Sequence, residues 1–462
     1  MVNLGTWHPE SAKRRTRVTE PAGSTTPGTG LPVAGQIRDS LYDLVPVSEP
    51  ELALLGSPAF LRLERIQQLG FVSRIWPGAR HARYEHSLGV LYLARLALDH
   101  LRRLPQGRMI TDTDASTLAA AALLHDIGHY PFSHAIEELG PPVRSHEEVG
   151  RGIILGDEIA PILEETWQVD PQRVARFIYP GAEPMPPVDR LLRGILSGAL
   201  DVDKLDYLPR DAAACRVPYG GVDYQRLIGS LRIAEIDGAS RIVVSDKGVS
   251  PLHSLINARQ EMFDNVYWHH TNRACMAMLL RGIQDGLTAG TIGADDLTVL
   301  DDASLLSFLA SDRMPESTRR LTSALRNRQI HKRAVEISSR AGELHARLGA
   351  LFFNPGQRRA IELRMVDQLN ALSGEAAPSD AILIDIPKPE KWRTDVWVTF
   401  DDPPVGFEPL MHWRDVVGLG DEDLKRYEDH RRLIRLVVAE PWRGIVRNNW
   451  ERILYGSIGG LV

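Results

Sequence analysis

One stretch constrains this chain more than any other. Leu118-Ala-Ala-Ala-Ala-Leu-Leu124 runs directly into His125-Asp126-Ile-Gly-His129-Tyr-Pro-Phe-Ser-His134. The alanine and leucine run propagates a helix, and Gly128 and Pro131 end it. A His-Asp pair therefore sits at a helix end, where a bend in the chain can aim an imidazole and a carboxylate into one cavity. That pair of donors suits a divalent metal of intermediate hardness. The density of histidine sharpens the reading. Of 15 histidines, His81, His86, His100, His125, His129, His134 and His146 all fall within about a seventh of the chain. Imidazoles crowd in this way where metal binding or proton transfer needs them.

The rest of the composition sets bounds. A chain of 462 residues with 43% hydrophobic and 25% charged residues is long enough for two or three subdomains around large cores. A net charge of −6 gives no support to a mainly electrostatic nucleic-acid binder. Cys215 and Cys275 are too few for a disulfide framework or a cysteine-rich zinc site. They read as buried thiols in a reducing compartment. No apolar run approaches the ~18 residues of a membrane span and no leader pattern opens the sequence. The expectation is a cytoplasmic protein without membrane contact.

Residues 1–34 are rich in Pro, Gly, Ser and Thr and carry a basic patch at Lys13, Arg14, Arg15 and Arg17, which reads as a mobile tail. Apolar residues at 60, 63, 66 and 69 predict a helix from Pro58 to Gly70. Further helices are expected from His81 through Leu101, and over 114–126, from 146, 171–179, 188–200 and 251–288. Leu231 to Ser245 alternates, turns at Gly238 and alternates again, a hairpin. Beyond it the chain is mixed, with a helix expected at 332–349, strands at 381–386 and 396–400, and a charged helix at 421–438. The predicted fold is mainly α: a helical bundle around a metal site over residues 35–290, with a β-hairpin insertion, then a mixed α/β region over 291–462 suited to oligomerisation or regulation.

A metal site needs several ligands from separate elements and an open position. Three elements offer them: His86 at one helix start, His125 and Asp126 at another's end, and Asp203 within Leu200-Asp-Val-Asp-Lys-Leu-Asp-Tyr-Leu-Pro-Arg-Asp211. His129, His134 and His146 are candidates for proton transfer or phosphate stabilisation. No glycine-rich phosphate loop is present, so phosphate chemistry falls to metal and side chains. The ligand types accept Mn, Fe, Zn, Ni or Mg.

Arg83-Tyr-Glu-His86-Ser-Leu-Gly-Val, His125 through His134, His146-Glu147 and Asp201 through Asp211, with Arg65 through Gly70 and Trp76 through His81, resemble the HD-domain phosphohydrolases. The likeness is to the deoxynucleoside triphosphate triphosphohydrolases and covers roughly residues 37–285. It implies metal ligation by His86, His125, Asp126 and Asp203, and phosphate contact by Arg83, Lys204 and Tyr207. His134 would act near the scissile bond, with His129 and His146 beside it and Glu137 orienting an imidazole. Gln68, Leu69, Tyr207 and Asp211 would line a sugar pocket that excludes a 2′-hydroxyl. The implied reaction releases a deoxynucleoside and inorganic triphosphate. The implied partners are a nucleotide substrate, an activating nucleotide and further copies of the chain in a dimer or tetramer, with nucleic acid disfavoured.

One departure accompanies the likeness. The family places an arginine four residues before a histidine and a tyrosine four after it, in the helix that follows the hairpin. With His270 as that histidine, a substrate-binding position, Val266 and Ala274 occupy the flanks. Neither can contact a phosphate, which leaves Arg259 or Arg273 to substitute. An HD-type nucleoside monophosphatase or phosphodiesterase needs fewer cations and is the alternative reading; a nucleotide-binding regulator is the second.

Overall fold

The structure is a computed structural model and describes residues 24–388, 395–420 and 431–459. It is mainly helical, with three small sheets. No described helix is long and apolar enough to cross a membrane.

The chain enters through a turn at residues 24–32 and a hairpin of β1 (Val33–Asp39) and β2 (Asp43–Ser48), paired Ile37 to Val45. Part of the expected tail is therefore ordered. Thr26 and Thr29 are buried, and Gly28 takes φ 73° where an added Cβ would meet the Arg95 carbonyl. Residues 1–23, with the basic patch, lie outside the described residues. The helix expected from Pro58 to Gly70 is one α-turn, Pro58–Leu61, continued by 3₁₀ turns at Arg62–Arg65 and Gly70–Arg74.

Four helices build the site. α1 (Arg83–Arg102) and α2 (Asp112–Leu124) pack side by side. α2 begins in a capping box between Thr111 and Asp114. Its residues from Thr117 to Leu124 are all buried, because four consecutive alanines let neighbouring helices approach on every side. α3 (His146–Ile154) and α4 (Val202–Cys215) complete the ring. Two glycines permit the close approach. A Cβ on Gly89 would collide with the Asp206 carboxylate and the Arg210 guanidinium, and one on Gly128 would collide with the backbone of His146 and Gly150.

After α4 come the predicted hairpin β3 (Leu231–Ile236) and β4 (Ala239–Ser245), then α5 (Val249–Met262), a π-helical turn (Phe263–Tyr267) and α6 (His270–Thr288). A second core joins Phe71, Tyr130 and Phe132 from the site region to α6, to residues 292–330 and to Leu383 and Val437. It runs straight across residue 290, the expected division.

Two expected helices are strands in the structure. Residues 332–337 form β5 (Lys332–Ile337), with a helix only from Glu343 to Ala350. Ile434–Val438 is β9, buried along its whole length as the centre of a sheet ordered β5-β9-β6. Four apolar residues around Arg435 read as a helix continuation but suit a central strand covered on both faces. The 421–430 part of that expected helix lies outside the described residues. β6 (Ile382–Asp385), β7 (Trp397–Thr399) and β8 (Leu410–His412) stand where strands are expected or beside them.

Candidate active site and metal centre

His86, in the first turns of α1, is almost fully buried. Its Nδ1 hydrogen-bonds Asp206 Oδ2 at 2.7 Å, which leaves Nε2 as the outward donor. His125 caps α2, and its Nδ1 donates to the Ala122 carbonyl at 2.8 Å. Its Nε2 is therefore also free to ligate. The two Nε2 atoms stand 3.3 Å apart. Asp203 Oδ1, one turn into α4, lies 3.0 Å from the first and 3.8 Å from the second. Asp126 Oδ1 and Oδ2 lie 3.3 and 3.6 Å from the same two nitrogens. His86, His125 and Asp203 converge as a donor group that could hold a divalent cation, and Asp126 stands beside them as a further carboxylate.

Burial opposes a proton on His86, but the Asp203 and Asp206 carboxylates outweigh it and raise its pKa to about 10, so a divalent cation would displace that proton to reach Nε2. Burial also opposes ionisation of Asp203, yet His86 holds it down to about 2. Asp126 is likewise buried, and Arg83, His125 and His129 keep it well below the ordinary carboxylate range. Arg83 Nη1 pairs closely with Asp126 Oδ2.

A second cluster abuts the first. His129 Nε2 lies 3.2 Å from Asp126 Oδ1, so Asp126 faces both groups. The His129 and His146 rings stack at 3.9 Å. His146 Nδ1 donates to Glu137 Oε1 at 2.6 Å. His134, the solvent-exposed member, approaches Glu137 Oε2 at 3.7 Å. Burial, followed by the Arg83 and His146 charges, pushes His129 well below the usual histidine range. Burial works against a charged His146, but Glu137 overcomes it and raises the pKa. Burial would raise Glu137, whereas His146 holds it far down. The result is an ionised Glu137–His146 pair beside a neutral His129.

Both clusters border a cleft of about 420 Å³. Gln68, Leu69, Arg83, His134, Glu137, His146, Asp203, Lys204, Tyr207 and Asp211 line it. His86, His125, Asp126 and His129 lie behind Arg83 and Asp203. Asp211 accepts hydrogen bonds from His81 and from the Tyr267 hydroxyl, both at 2.7 Å. Lys204 reaches Asp201 at 2.5 Å and the Gly198 carbonyl at 3.0 Å.

His270 is the exception among the expected site residues. It opens α6 with its ring 4.3 Å from that of His269. Burial, His269, Arg333 and Arg435 lower its pKa to about 4. That surrounding is the β5–β9 sheet, and His270 does not line the cleft. Val266 and Ala274 are buried in the core. The cleft instead receives Arg259, Phe263 and Tyr267, spaced by four. The family's arginine, histidine and tyrosine spacing is thus met one register earlier, with Phe263 in the histidine's place. The π-helical turn at Phe263–Tyr267 rotates this segment relative to α6, which a regular helical count from His270 does not allow for. Arg273 also touches the cleft, but Glu138 and Asp385 bind its guanidinium from two sides, the closest contacts at 2.8 and 2.6 Å.

Asp206 is a functional residue that sequence reasoning passed over. It lies three residues after Asp203 on the same helix and receives Tyr42 Oη at 2.8 Å and Arg210 Nε at 2.8 Å. Arg210 in turn binds Asp39 at 2.9 Å. The β1–β2 hairpin thereby fixes the imidazole of His86.

Residues 83–210 match the family described as HD domain, and residues 222–402 match the HD associated region. Uncharacterized protein MJ1154 of Methanocaldococcus jannaschii is 32% identical over 59% of this chain and 54% of its own. The human deoxynucleoside triphosphate triphosphohydrolase SAMHD1 is 28% identical over 53% of this chain and 43% of its own. The chain spans about half the length of the curated relatives it matches. A crystal structure of a hypothetical protein from Aquifex aeolicus superposes with a TM-score of 0.65 at 25% identity, covering 91% of this chain and 99% of that one.

Proposed function

This chain carries an HD domain followed by its associated region, and on that premise we propose that it is a divalent-metal-dependent phosphohydrolase that cleaves deoxynucleoside triphosphates to deoxynucleoside and inorganic triphosphate. One observation carries the reading. Asp126 stands between a convergent His86, His125 and Asp203 donor set and a Glu137–His146–His129 relay, and both border a cleft with Arg83, Lys204 and Arg259 on its walls.

The bound cation would supply Lewis acidity toward a phosphoryl oxygen and acidify a water. The protein's own groups do the rest. Arg83, Lys204 and Arg259 bring positive charge to a phosphate chain. His134, exposed at the cleft and backed by Glu137, is placed to give a proton to a leaving oxygen. Gln68, Leu69, Tyr207 and Asp211 bound the space for the sugar. The human relative is a deoxynucleoside triphosphate triphosphohydrolase, which supports the substrate class.

The monophosphatase or phosphodiesterase reading draws on Val266 and Ala274. Arg259 and Tyr267 at the cleft favour the triphosphate over it. Release of intact triphosphate from deoxynucleotides by metal-loaded protein tests the reading, and its absence across all four bases, with or without other nucleotides as activators, would refute it.

A further inference from the structure

Three consecutive residues from beyond α6 reach back to the cleft. Asp302 is buried, and its Oδ1 accepts a hydrogen bond from the Phe132 amide at 2.7 Å while its Oδ2 accepts one from the Gln67 amide at 3.0 Å. Asp301 receives Arg65 Nε at 2.8 Å. The Leu300 carbonyl receives Arg62 Nε at 3.0 Å, and the same guanidinium donates to the His129 carbonyl at 2.8 Å.

The two amides held by Asp302 belong to adjoining segments of one cleft wall. Gln67 precedes Gln68 and Leu69. Phe132 begins the loop that carries Ser133 and His134. Phe132 and Ser133 both adopt left-handed backbone, with φ of 57° and 60°. For residues other than glycine, such a conformation persists only where surroundings impose it. Phe71 stacks on Phe132 at 4.3 Å, but its ring contact does not fix the backbone. The carboxylate of Asp302 does. Ser133 Oγ then lies 2.9 and 3.1 Å from the Gln67 and Gln68 carbonyls and accepts from Arg83 Nε at 3.0 Å.

We propose that Asp302 is a positioning residue: its carboxylate, together with the Ser133 hydroxyl, ties the Gln67–Leu69 segment to the Phe132–His134 loop, and so fixes the cleft wall against which a nucleotide's sugar rests. The wall's role in seating the sugar rests on the functional reading above; the clamp itself does not. Gln68, Leu69 and His134 touch the substrate space, and Asp302 acts through them. On this account the HD associated region supplies a part the HD domain needs to shape its cleft.

The test is Asp302→Asn in the full, metal-loaded chain. The amide retains one acceptor oxygen and turns an NH₂ toward one of the two backbone donors. Backbone amide exchange is followed by mass spectrometry over residues 66–70 and 130–135, with KM and kcat for deoxynucleotides measured in parallel. The expected result is exchange faster by roughly tenfold in both segments, the scale of one lost buried hydrogen bond. Exchange in α2 and metal content should stay unchanged, with KM raised more than kcat is lowered. Unchanged exchange in both segments overturns the clamp. A uniform rise across the whole chain also overturns it, because that is loss of stability alone. Faster local exchange with unaltered KM overturns the positioning role. If the wild type hydrolyses no nucleotide, the functional reading fails while the exchange result still decides the clamp. Should Asp302→Asn not fold, the wild type suffices: its Phe132 amide must exchange as slowly as helical amides of α2, and exchange at the solvent rate overturns the proposal.

Discussion

Asp206 Oδ2 lies 2.7 Å from His86 Nδ1, and this contact decides which nitrogen of His86 is offered to a metal. Asp206→Ala removes the orienting acceptor, leaves Tyr42 without its carboxylate and leaves Arg210 with the Asp39 carboxylate alone. Metal affinity should fall by about 10- to 100-fold, the usual effect of losing a group behind a ligand. Competition against a chelator reads it directly. Affinity equal to wild type would mean His86 needs no such support.

Gly89→Ala tests the same pair from the other side. The added methyl would press on Asp206 and Arg210. Destabilisation of about 1–3 kcal/mol is expected from overpacking, together with weakened metal binding. Chemical denaturation and metal titration check the two effects separately.

Arg259 and Phe263 test the corrected register. Arg259→Ala should raise KM for a triphosphate at least tenfold, as one charge-assisted phosphate contact is lost. Phe263→His restores the spacing that the triphosphohydrolases show and should raise turnover. Val266→Arg, suggested by counting from His270, should instead unfold the protein, because Val266 is buried.

The sequence marked the candidate ligand set because each proposed ligand is local to a legible stretch: a helix start for His86, a helix end for His125 and Asp126, and a helical turn for Asp203. It disclosed less wherever a residue's meaning depends on a distant partner. Asp206 looks like one more charge on an amphipathic helix until Tyr42 and Arg210 are seen around it. Asp302 sits 170 residues from Phe132, and nothing in its neighbourhood points there. The strands at 332–337 and 434–438 escaped for the same reason, since each is defined by pairing with the other. Arg259 was named as a substitute and lines the cleft, but Phe263 and Tyr267 went unassigned because a π-helical turn breaks the regular count.

Asp302 also gives a dependence on pH. Burial raises its pKa to about 6 against the partial relief given by the Phe132 and Gln67 amides. Its folded pKa thus exceeds the unfolded value, so the folded state holds the proton more tightly. This residue's contribution to stability therefore falls as pH rises from about 4 to about 6 and is level above. The full span is at most about 3 kcal/mol. Subtracting the Asp302→Asn stability curve from the wild-type curve isolates it; a flat difference would contradict the assignment.

The central claim is tested most directly by product analysis. Wild-type protein and Asp126→Ala are each incubated with Mn²⁺ and all four deoxynucleoside triphosphates, and the products are separated by ion-pair chromatography. The account predicts deoxynucleoside and intact inorganic triphosphate from the wild type and neither from the variant. Release of phosphate or pyrophosphate without triphosphate, or turnover that survives loss of Asp126, would contradict it.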